Sequence, residues 1–542
     1  MSMKKLVFFI FSLIYLSSFA QEDAWVFLAD KPNAATFLAN PLTMLSQRSL
    51  GRRTKQNIAL DNKDVPLHTA YYNQVVNATG ITVLAKSKWL NAIHVQGTEA
   101  DIKALKTDFT FVASIEFADR SLNTGGKTSD VKPRESHQNK FEETLTDFDY
   151  GSASNQITML HGDFLHQQGF TGNGMQIAIL DAGFPNVDTN PAFQRLRDNN
   201  QIIGGYNFVN RNTNFYSRNS HGAHVLSNIG GYLENEYVGT APDAKFYLFI
   251  TEDNSQEAPI EESLWVEAAE RADSLGVDVI NTSLGYTTFD KASYNHTYAD
   301  MNGSTTFITR GAEIGASRGM ILVNSAGNSG SSAWHYVGAP ADAISVLSVG
   351  AVNSSSVLAS FSSRGPTADN RIKPDVMAQG AGAAIVNYSS GNVSSANGTS
   401  FSSPILTGVI ACFWQAYPTK TAEEIKTIIK ESSDRFNNPD NDYGYGIPNF
   451  ETAFNTLRLE SFTSDELYVN IYPNPVKDVI NLSIVGAFSD YSITIYSILG
   501  KKVYQENELL SSKINISKLH RGIYLLKIQR GNLQRTIKMI KK

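Results

Sequence analysis

Short apolar runs alternate with helical patterns through the middle of the chain, from about residue 150 to residue 457. The runs MQIAILDAG, AKFYLFIT, VDVINTSLG and GMILVNSAGN have the β-branched and aromatic residues of buried strands. The segment EESLWVEAAERADSLG repeats its apolar residues at helical spacing. Strands that are apolar on both faces and alternate with helices predict a parallel sheet covered by helices. The predicted fold class of this region is therefore α/β.

Two smaller regions flank this one. Residues 21–119 contain AWVFLAD and FTFVASIEFA, which predict strands, and DIKALKTD, which predicts a helix, so we expect a small α+β domain. Residues 464–542 contain short alternating segments separated by Pro, Asn and Gly, a pattern typical of a small β-sandwich. Residues 120–149 are polar and charged, which predicts a linker. The large central domain is expected to span residues 150–457.

The first 20 residues have the form of a secretory signal peptide. Lys4 and Lys5 precede an apolar stretch, and small residues near Ala20 suit cleavage before Gln21. We therefore expect an exported protein that does not span a membrane. The net charge of −6 gives no reason to expect a nucleic-acid partner. Cys412 is the only cysteine, which excludes an intramolecular disulfide, and its apolar surroundings predict a buried thiol.

Three segments carry an acid, a base and a nucleophile in that order. IAILDAGF places Asp181 at the end of a predicted strand, NSHGAHVL places His221 before an apolar helix, and NGTSFSSP places Ser400 at a helix start. Ser400 alone would also suit a helix cap. A serine becomes a good nucleophile when a base accepts its proton and a carboxylate orients that base. Such distant residues can meet only through tertiary folding.

These motifs together resemble those of the subtilisin-like serine proteases. Residues 398–404 read GTSFSSP where that family has GTSMA(A or S)P, and residues 219–225 read NSHGAHV where it has NSHGTHV. Residues 181–183 read DAG in place of D(S or T)G, and VINTSLG, SAGNSG and FSSRGP also match. The resemblance covers residues 150–457. It implies a parallel-sheet peptidase that uses Asp181, His221 and Ser400 and forms an acyl-enzyme.

The chain also departs from the family pattern at several positions. Ala182 and Ala223 lack hydroxyl groups that the family usually keeps, Ser402 replaces a usual alanine, and Ile405 replaces a usual histidine. None of these changes removes a proton carrier or a nucleophile. They bear on rate and geometry rather than on the class of reaction.

The resemblance also implies an oxyanion hole and a substrate pocket. Asn328 matches the family asparagine whose amide points at the tetrahedral oxygen, and the Ser400 N–H would be the second donor. The pocket for the side chain before the cut would have small, uncharged residues in its walls and floor. Because no acid there could pair with Lys or Arg, we expect a preference for large apolar side chains. The walls would be Ser283, Leu284 and Gly285 and Ser325, Ala326 and Gly327, and the floor Gly338.

The flanking regions extend the resemblance. Residues 21–119 resemble the inhibitory propeptides of subtilisins, and residues 464–542 resemble the sorting domain of the type IX secretion system. Together they imply a zymogen that is exported through the periplasm and is then secreted or displayed at the cell surface. The implied partners are protein or peptide substrates, the chain's own prodomain as inhibitor and folding aid, and the secretion machinery. No cofactor is required for this chemistry. Structural calcium is common in the family, but no carboxylate cluster here can be assigned to it.

Two other functions stay open at this point. An inactive protease scaffold that serves in binding or adhesion would fit Ala182 and Ala223, although the intact triad speaks against it. An acyl-transfer enzyme on the same fold, such as a peptide ligase or an esterase, would use the same residues. His224 lies one helical turn from His221, but no third metal ligand accompanies this pair, so we expect a structural role for it.

Overall fold

The computed structural model describes residues 21–123, 148–460, 469–484, 488–531 and 533–542. The predicted signal peptide and most of the predicted linker lie outside these residues. Within the described ranges the chain forms three regions, each with a sheet and a core of its own.

The N-terminal region is an antiparallel sheet of order β2-β3-β1-β4 with helices packed on it. Successive side chains of the first strand point to opposite faces of the sheet. Ala24 and Val26 enter the region's own core, whereas Trp25 and Phe27 pack against the central region. The predicted α+β class is confirmed. The elements are β1 (Gln21–Leu28), α1 (Ala34–Ala39), α2 (Gln47–Lys55), α3 (Thr69–Val76), β2 (Thr82–Ser87), β3 (Ala92–Thr98), α4 (Glu99–Asp108) and β4 (Val112–Phe117).

The central region has the predicted α/β architecture. Its strands are β5 (Gln176–Asp181), β6 (Ile202–Asn207), β7 (Tyr232–Leu233), β8 (Tyr237–Val238), β9 (Lys245–Ile250), β10 (Val279–Thr282), β11 (Ile321–Ser325), β12 (Leu347–Val352), β13 (Val376–Gln379), β14 (Ala383–Val386) and β15 (Val393–Ala396). Its helices are α5 (Ser154–Thr158), α6 (Gly162–Gln167), α7 (Gln194–Asp198), α8 (His221–Gly230), α9 (Ile260–Leu275), α10 (Phe307–Ser317), α11 (Thr399–Ala416), α12 (Ala422–Glu431) and α13 (Phe450–Glu460).

A seven-stranded sheet of order β13-β12-β11-β10-β5-β9-β6 runs through this region, and its paired strands are parallel. Helices cover both faces, so the strands are buried on both sides. In β5, Ile177 and Ile179 face the core beneath α8 and α11, whereas Ala178 and Leu180 face the core beneath α9 and α10. Because all these strands run the same way, their carboxyl ends share one edge of the sheet, where ligand sites of such folds form.

The C-terminal region is the predicted small β-sandwich. One sheet has the order β16-β17-β20 and the other β19-β18-β21-β22, and Ile480, Ile493, Leu526 and Ile528 are buried in the core that the two sheets share. Its strands are β16 (Val469–Tyr472), β17 (Val479–Ile484), β18 (Ser492–Ser497), β19 (Lys502–Glu506), β20 (Lys513–Asn515), β21 (Gly522–Arg530) and β22 (Leu533–Lys541).

Cys412 is buried in α11, as expected from its apolar surroundings. Among the helices of the described ranges, none combines the length and the apolar character that crossing a bilayer requires.

Candidate active site

Asp181 occupies the carboxyl end of the interior strand β5 and is fully buried. Its backbone is held in the sheet, where the carbonyl accepts a hydrogen bond from the Thr251 N–H at 3.0 Å. Its Oδ1 accepts from the Ala182 N–H at 2.7 Å. Its Oδ2 is buried and has no hydrogen-bond partner within the described part of the chain. The carboxylate is therefore rigidly placed but only partly solvated by the protein.

His221 is the first residue of α8 and faces that carboxylate. Its Nδ1 lies 2.7 Å from Asp181 Oδ1, and its backbone N–H donates to Asn219 Oδ1 at 2.9 Å. A carboxylate only accepts hydrogen bonds, so Nδ1 carries a proton and Nε2 of the neutral ring keeps its lone pair.

The next residue, Gly222, lets α8 approach β5 this closely. A Cβ at Gly222 would lie 2.5 Å from the Gly183 carbonyl oxygen and 2.7 Å from Phe184 Cε1. Any larger residue would therefore push the helix away from the strand, and His221 away from Asp181.

Two opposing effects set the pKa of His221. Burial disfavours the charged ring and lowers the pKa, whereas the negative charge of Asp181 and its hydrogen bond raise it. The second effect wins, and the pKa of His221 lies above its ordinary value of 6.5. The ring therefore holds a proton more strongly than a free histidine does.

Ser400 is the second residue of α11 and is almost fully buried. Its hydroxyl donates to the Ser283 carbonyl at 3.1 Å, and the Ser283 hydroxyl donates back to the Ser400 carbonyl at 3.0 Å. Among the described residues no hydrogen bond joins Ser400 Oγ to His221. The start of α11 nevertheless lies beside that ring, because the Phe401 and His221 ring centroids are 6.1 Å apart. The hydroxyl thus points to the wall of the cleft rather than to the imidazole.

Asn328 lies at the same edge with its amide oriented by the residue before Ser400. Its Oδ1 accepts the Thr399 N–H at 2.9 Å and the Thr399 hydroxyl at 3.0 Å. The side chain is exposed, and with Oδ1 engaged its NH₂ group is the end left to face a ligand. The Ser400 N–H belongs to the first turn of α11, where N–H groups have no partner within the helix. The two donors therefore flank the start of α11.

The predicted pocket residues come together at this edge. Asn324 Nδ2 donates to the Leu284 carbonyl at 3.0 Å and so joins the segment 283–285 to the segment 325–327. Tyr286 and Ala339 exchange backbone hydrogen bonds of 2.8 and 3.2 Å, which brings Gly338 alongside. A Cβ at Gly338 would lie 3.0 Å from Thr287 Cγ2, so this position has little spare room.

Three residues of this edge were not predicted from the sequence. Thr399 orients Asn328, and a Glu252–Tyr286 pair ties the loop after β9 to the segment after β10. The Tyr286 hydroxyl donates to Glu252 Oε1, as does the Thr251 hydroxyl at 3.1 Å. Burial raises the pKa of Glu252 well above its ordinary value, and the charge of Glu261 adds to this effect. Thr399 could have been noticed from its place in the GTS motif, but no pattern signals the Glu252–Tyr286 pair.

His224 lies outside this group of contacts. Its Nε2 accepts the Tyr388 N–H at 3.4 Å, and the two rings meet edge to face with centroids 5.7 Å apart. Within the described ranges, no group of three or more His, Cys, Asp or Glu residues is arranged to hold a metal ion.

Comparison with known families gives three matches along the chain. Residues 172–446 match the model described as the subtilase family. Residues 23–138 match a peptidase S8 propeptide domain of Bacteroidota. Residues 470–542 match a secretion system C-terminal sorting domain.

Individual relatives are similar over the central region. Subtilisin DY of Bacillus licheniformis is 31% identical over 300 residues, which are 55% of this chain and 97% of the relative. Subtilisin E of Bacillus subtilis is 32% identical over 301 residues, 55% of this chain and 70% of the relative. Serine protease AprX of the same species is 29% identical over 318 residues, 53% of this chain and 67% of the relative.

The electrostatics of the pair yield a first prediction. Asp181→Asn removes the charge that raises the pKa of His221 and leaves the burial that lowers it. We therefore expect the imidazole to titrate at a lower pH than in the unmodified chain, as followed by NMR. Asp198→Asn, at an exposed site, should leave the titration unchanged. A His221 pKa that does not fall in Asp181→Asn would contradict the assigned cause.

Proposed function

Since this chain belongs to the subtilase family of serine endopeptidases, we propose that it cleaves peptide bonds through Ser400, His221 and Asp181 and forms an acyl-enzyme. The observation that carries the proposal is the 2.7 Å contact between Asp181 Oδ1 and His221 Nδ1 beside the start of α11. The propeptide and sorting domains mark the chain as an exported zymogen, either secreted or displayed at the cell surface.

In the proposed first step, Ser400 turns from the Ser283 carbonyl toward His221. Rotation about the Ser400 Cα–Cβ bond exchanges the hydrogen bond to Ser283 for one to His221. Breaking the resting hydrogen bond therefore adds little to the energy barrier. Catalytic hydrogen bonds are often absent or long before a substrate binds. Ser400 Oγ then attacks the substrate carbonyl carbon while its proton passes to His221 Nε2. Asp181 holds the tautomer and stabilises the imidazolium that forms.

The tetrahedral intermediate carries its negative charge on the former carbonyl oxygen. We assign its stabilisation to the Asn328 NH₂ group and the Ser400 N–H, which flank the start of α11. Thr399 supports this role because it fixes the orientation of the Asn328 amide. Its N–H and its hydroxyl both donate to the amide oxygen. A donor that is oriented in advance costs no rearrangement when the charge appears.

The intermediate then collapses. The carbon–nitrogen bond breaks, the His221 imidazolium gives its proton to the departing amine, and the acyl group stays as an ester on Ser400. Water enters, His221 takes its proton, and the hydroxide equivalent attacks the ester, after which Ser400 leaves and recovers the proton. The nucleophile, the base and the oxyanion donors in these steps all belong to this chain. We assign no site to a structural calcium ion.

We propose that residues 21–119 inhibit the peptidase and assist its folding until the chain is cut in the linker. The propeptide match and the packing of Trp25 against α9 and α10 support this role. The C-terminal domain would address the chain to its secretion machinery. Protein or peptide substrates would meet the enzyme outside the cell.

Ser400 provides the direct test of the mechanism. Ser400→Ala should abolish casein digestion and labelling by an organofluorophosphonate probe, and should leave the prodomain covalently attached if maturation is autocatalytic. Ser402→Ala is the matched control, because this hydroxyl is buried in the same helical turn and donates to the Thr399 carbonyl of its own helix at 3.0 Å. It should stay active.

An active Ser400→Ala protein would refute the proposed nucleophile. An unmodified protein that the probe does not label would instead favour a binding or adhesion scaffold. Preferential transfer of the acyl group to added amines rather than to water would favour a ligase.

Asn328→Ala tests the oxyanion hole. We expect kcat to fall by about 10²–10³, the loss known for the matching asparagine of a subtilisin rather than one derived for this chain. KM should change little, because the donor acts on charge that develops in the transition state. Asn199→Ala, at an exposed site away from the cleft, should have no effect. A rise in KM with kcat unchanged would count against the assignment.

The pocket leads to a prediction about specificity. Its walls and floor carry small, uncharged residues, so a buried Lys or Arg side chain would lack a partner. We expect cleavage of a peptide library after large apolar or aromatic residues. Dominant cleavage after Lys or Arg would show that the pocket has been misassigned.

A further inference from the structure

The segment of residues 46–64, here called the prodomain arm, lies between β1 and β2 of the prodomain and comprises α2 and the loop after it. It contacts the central region at the loops that precede β5, β10 and β11. These are the amino ends of the strands, whereas Asp181, Ser283 and the other residues of the cleft lie at the carboxyl ends. The arm therefore binds the edge of the sheet opposite the candidate active site.

Arg52 of the arm sits where two helices of the central region end. Its Nη2 donates to the Asp273 carbonyl of α9 at 3.3 Å, and its Nε donates to the carbonyl of Arg318, just after α10, at 3.2 Å. It also donates to the Val277 carbonyl and pairs with the Asp273 carboxylate. The last carbonyls of a helix lack partners within the helix and attract positive charge. One guanidinium thus caps two helices at once.

The charges around Arg52 form a largely buried set. Arg53 bridges Asp64 of the arm and Asp273, at 2.8 and 2.7 Å. Arg318 of the central region reaches back to Asp61 at 3.1 Å. The side chains of Asp273 and Asp64 are completely buried. Departure of the arm would take both of these arginines away from Asp273.

Further contacts extend the same interface. The Ser46 N–H donates to the Ser274 carbonyl at 2.8 Å, and Gln56 bridges the Gly319 carbonyl at 2.7 Å and the Ala422 N–H at 3.0 Å. Arg48 donates to the Gly276 carbonyl at 2.9 Å and pairs with Asp278. The prodomain sheet lies along the same helix: Trp25 Nε1 donates to Ser263 Oγ in the first turn of α9 at 2.8 Å, and Lys88 Nζ donates to Ser274 Oγ in its last turn at 2.7 Å. The contacts of the sheet and of the arm therefore meet at the end of α9.

We propose that the ends of α9 and α10 form a guanidinium-binding site, and that Arg52 and Arg53 seated in it keep the prodomain on the peptidase after the linker is cut. The inference rests on the proposed function only in treating residues 21–119 as a prodomain that becomes separated. Because the arm and the prodomain sheet belong to one body, the contacts of the sheet hold the arm at high effective concentration near its site. Release then requires the arm to leave its site, which makes arm dissociation or arm degradation the step that frees the mature enzyme.

The test uses the full chain carrying Ser400→Ala, anchored by its C-terminal end, with the recognition sequence of a site-specific protease placed within residues 124–147. After the added protease has cut this sequence, the rate at which the N-terminal fragment washes off is measured. Arg52→Ala should raise this rate about tenfold or more, since truncating one member of a buried charge pair acts mainly on dissociation. Arg52→Lys should give a dissociation rate between those of the parent and of Arg52→Ala. Its ammonium keeps the charge but cannot form the several hydrogen bonds of the planar guanidinium.

Lys103→Ala is the control, because this exposed lysine forms its ion pair with Glu99 of its own helix, within the prodomain and away from the arm. If Arg52→Ala fails to fold, Arg48→Ala examines the same site, since the Arg48 side chain is 39% exposed and its loss is tolerable. It should speed dissociation by a smaller factor. Dissociation rates equal to that of the parent in these arm variants would overturn the proposal. The measurement does not depend on Ser400 chemistry or on inhibition, so its failure is distinct from a failure of the proposed function.

Discussion

A fully buried carboxylate at the end of strand β5 is the constraint from which the candidate site follows. A buried negative charge needs hydrogen-bond donors from the protein, since bulk water cannot reach it. Asp181 finds one donor in the Ala182 backbone and the other in His221. The second contact requires α8 to start against the end of β5, and that approach requires a glycine at position 222. The position and the tautomer of His221 are thus consequences of where Asp181 is buried.

The sequence predicted the parts of this arrangement that depend on burial. Two-sided apolar strands such as β5 identified the parallel sheet, and the residues just after them identified the edge at which Asp181, Ser283 and Asn328 gather. The resting direction of the Ser400 hydroxyl was not predictable, because its acceptor is the backbone carbonyl of Ser283, a residue 117 positions earlier in the chain. The Glu252–Tyr286 pair was not predictable either, since it joins two loops that no periodic pattern relates.

The prodomain arm shows where hydrophobic patterns fail. The sequence QRSLGRRTK of α2 has no apolar stripe and has the pattern of a solvated basic helix. Arg52 and Arg53 are nevertheless buried, because their partners are the ends of α9 and α10 and the carboxylate of Asp273. A pattern of polar residues along the chain carries no information on which distant charge will meet them. Only the assembled fold decides whether such a helix faces water or a buried acid.

The loss of two family hydroxyls gains a physical meaning from the same carboxylate. Ala182 offers Asp181 only its backbone N–H, and Oδ2 stays without a partner among the described residues. A carboxylate that is solvated less by its surroundings attracts a neighbouring positive charge more strongly, because the local dielectric is low. The imidazolium that forms when His221 accepts a proton is that charge. With alanine at position 182, His221 is the side chain that donates to the Asp181 carboxylate. In the proposed mechanism this dependence favours the protonated form of His221, so the missing hydroxyl at position 182 is compatible with the proposed role of the pair.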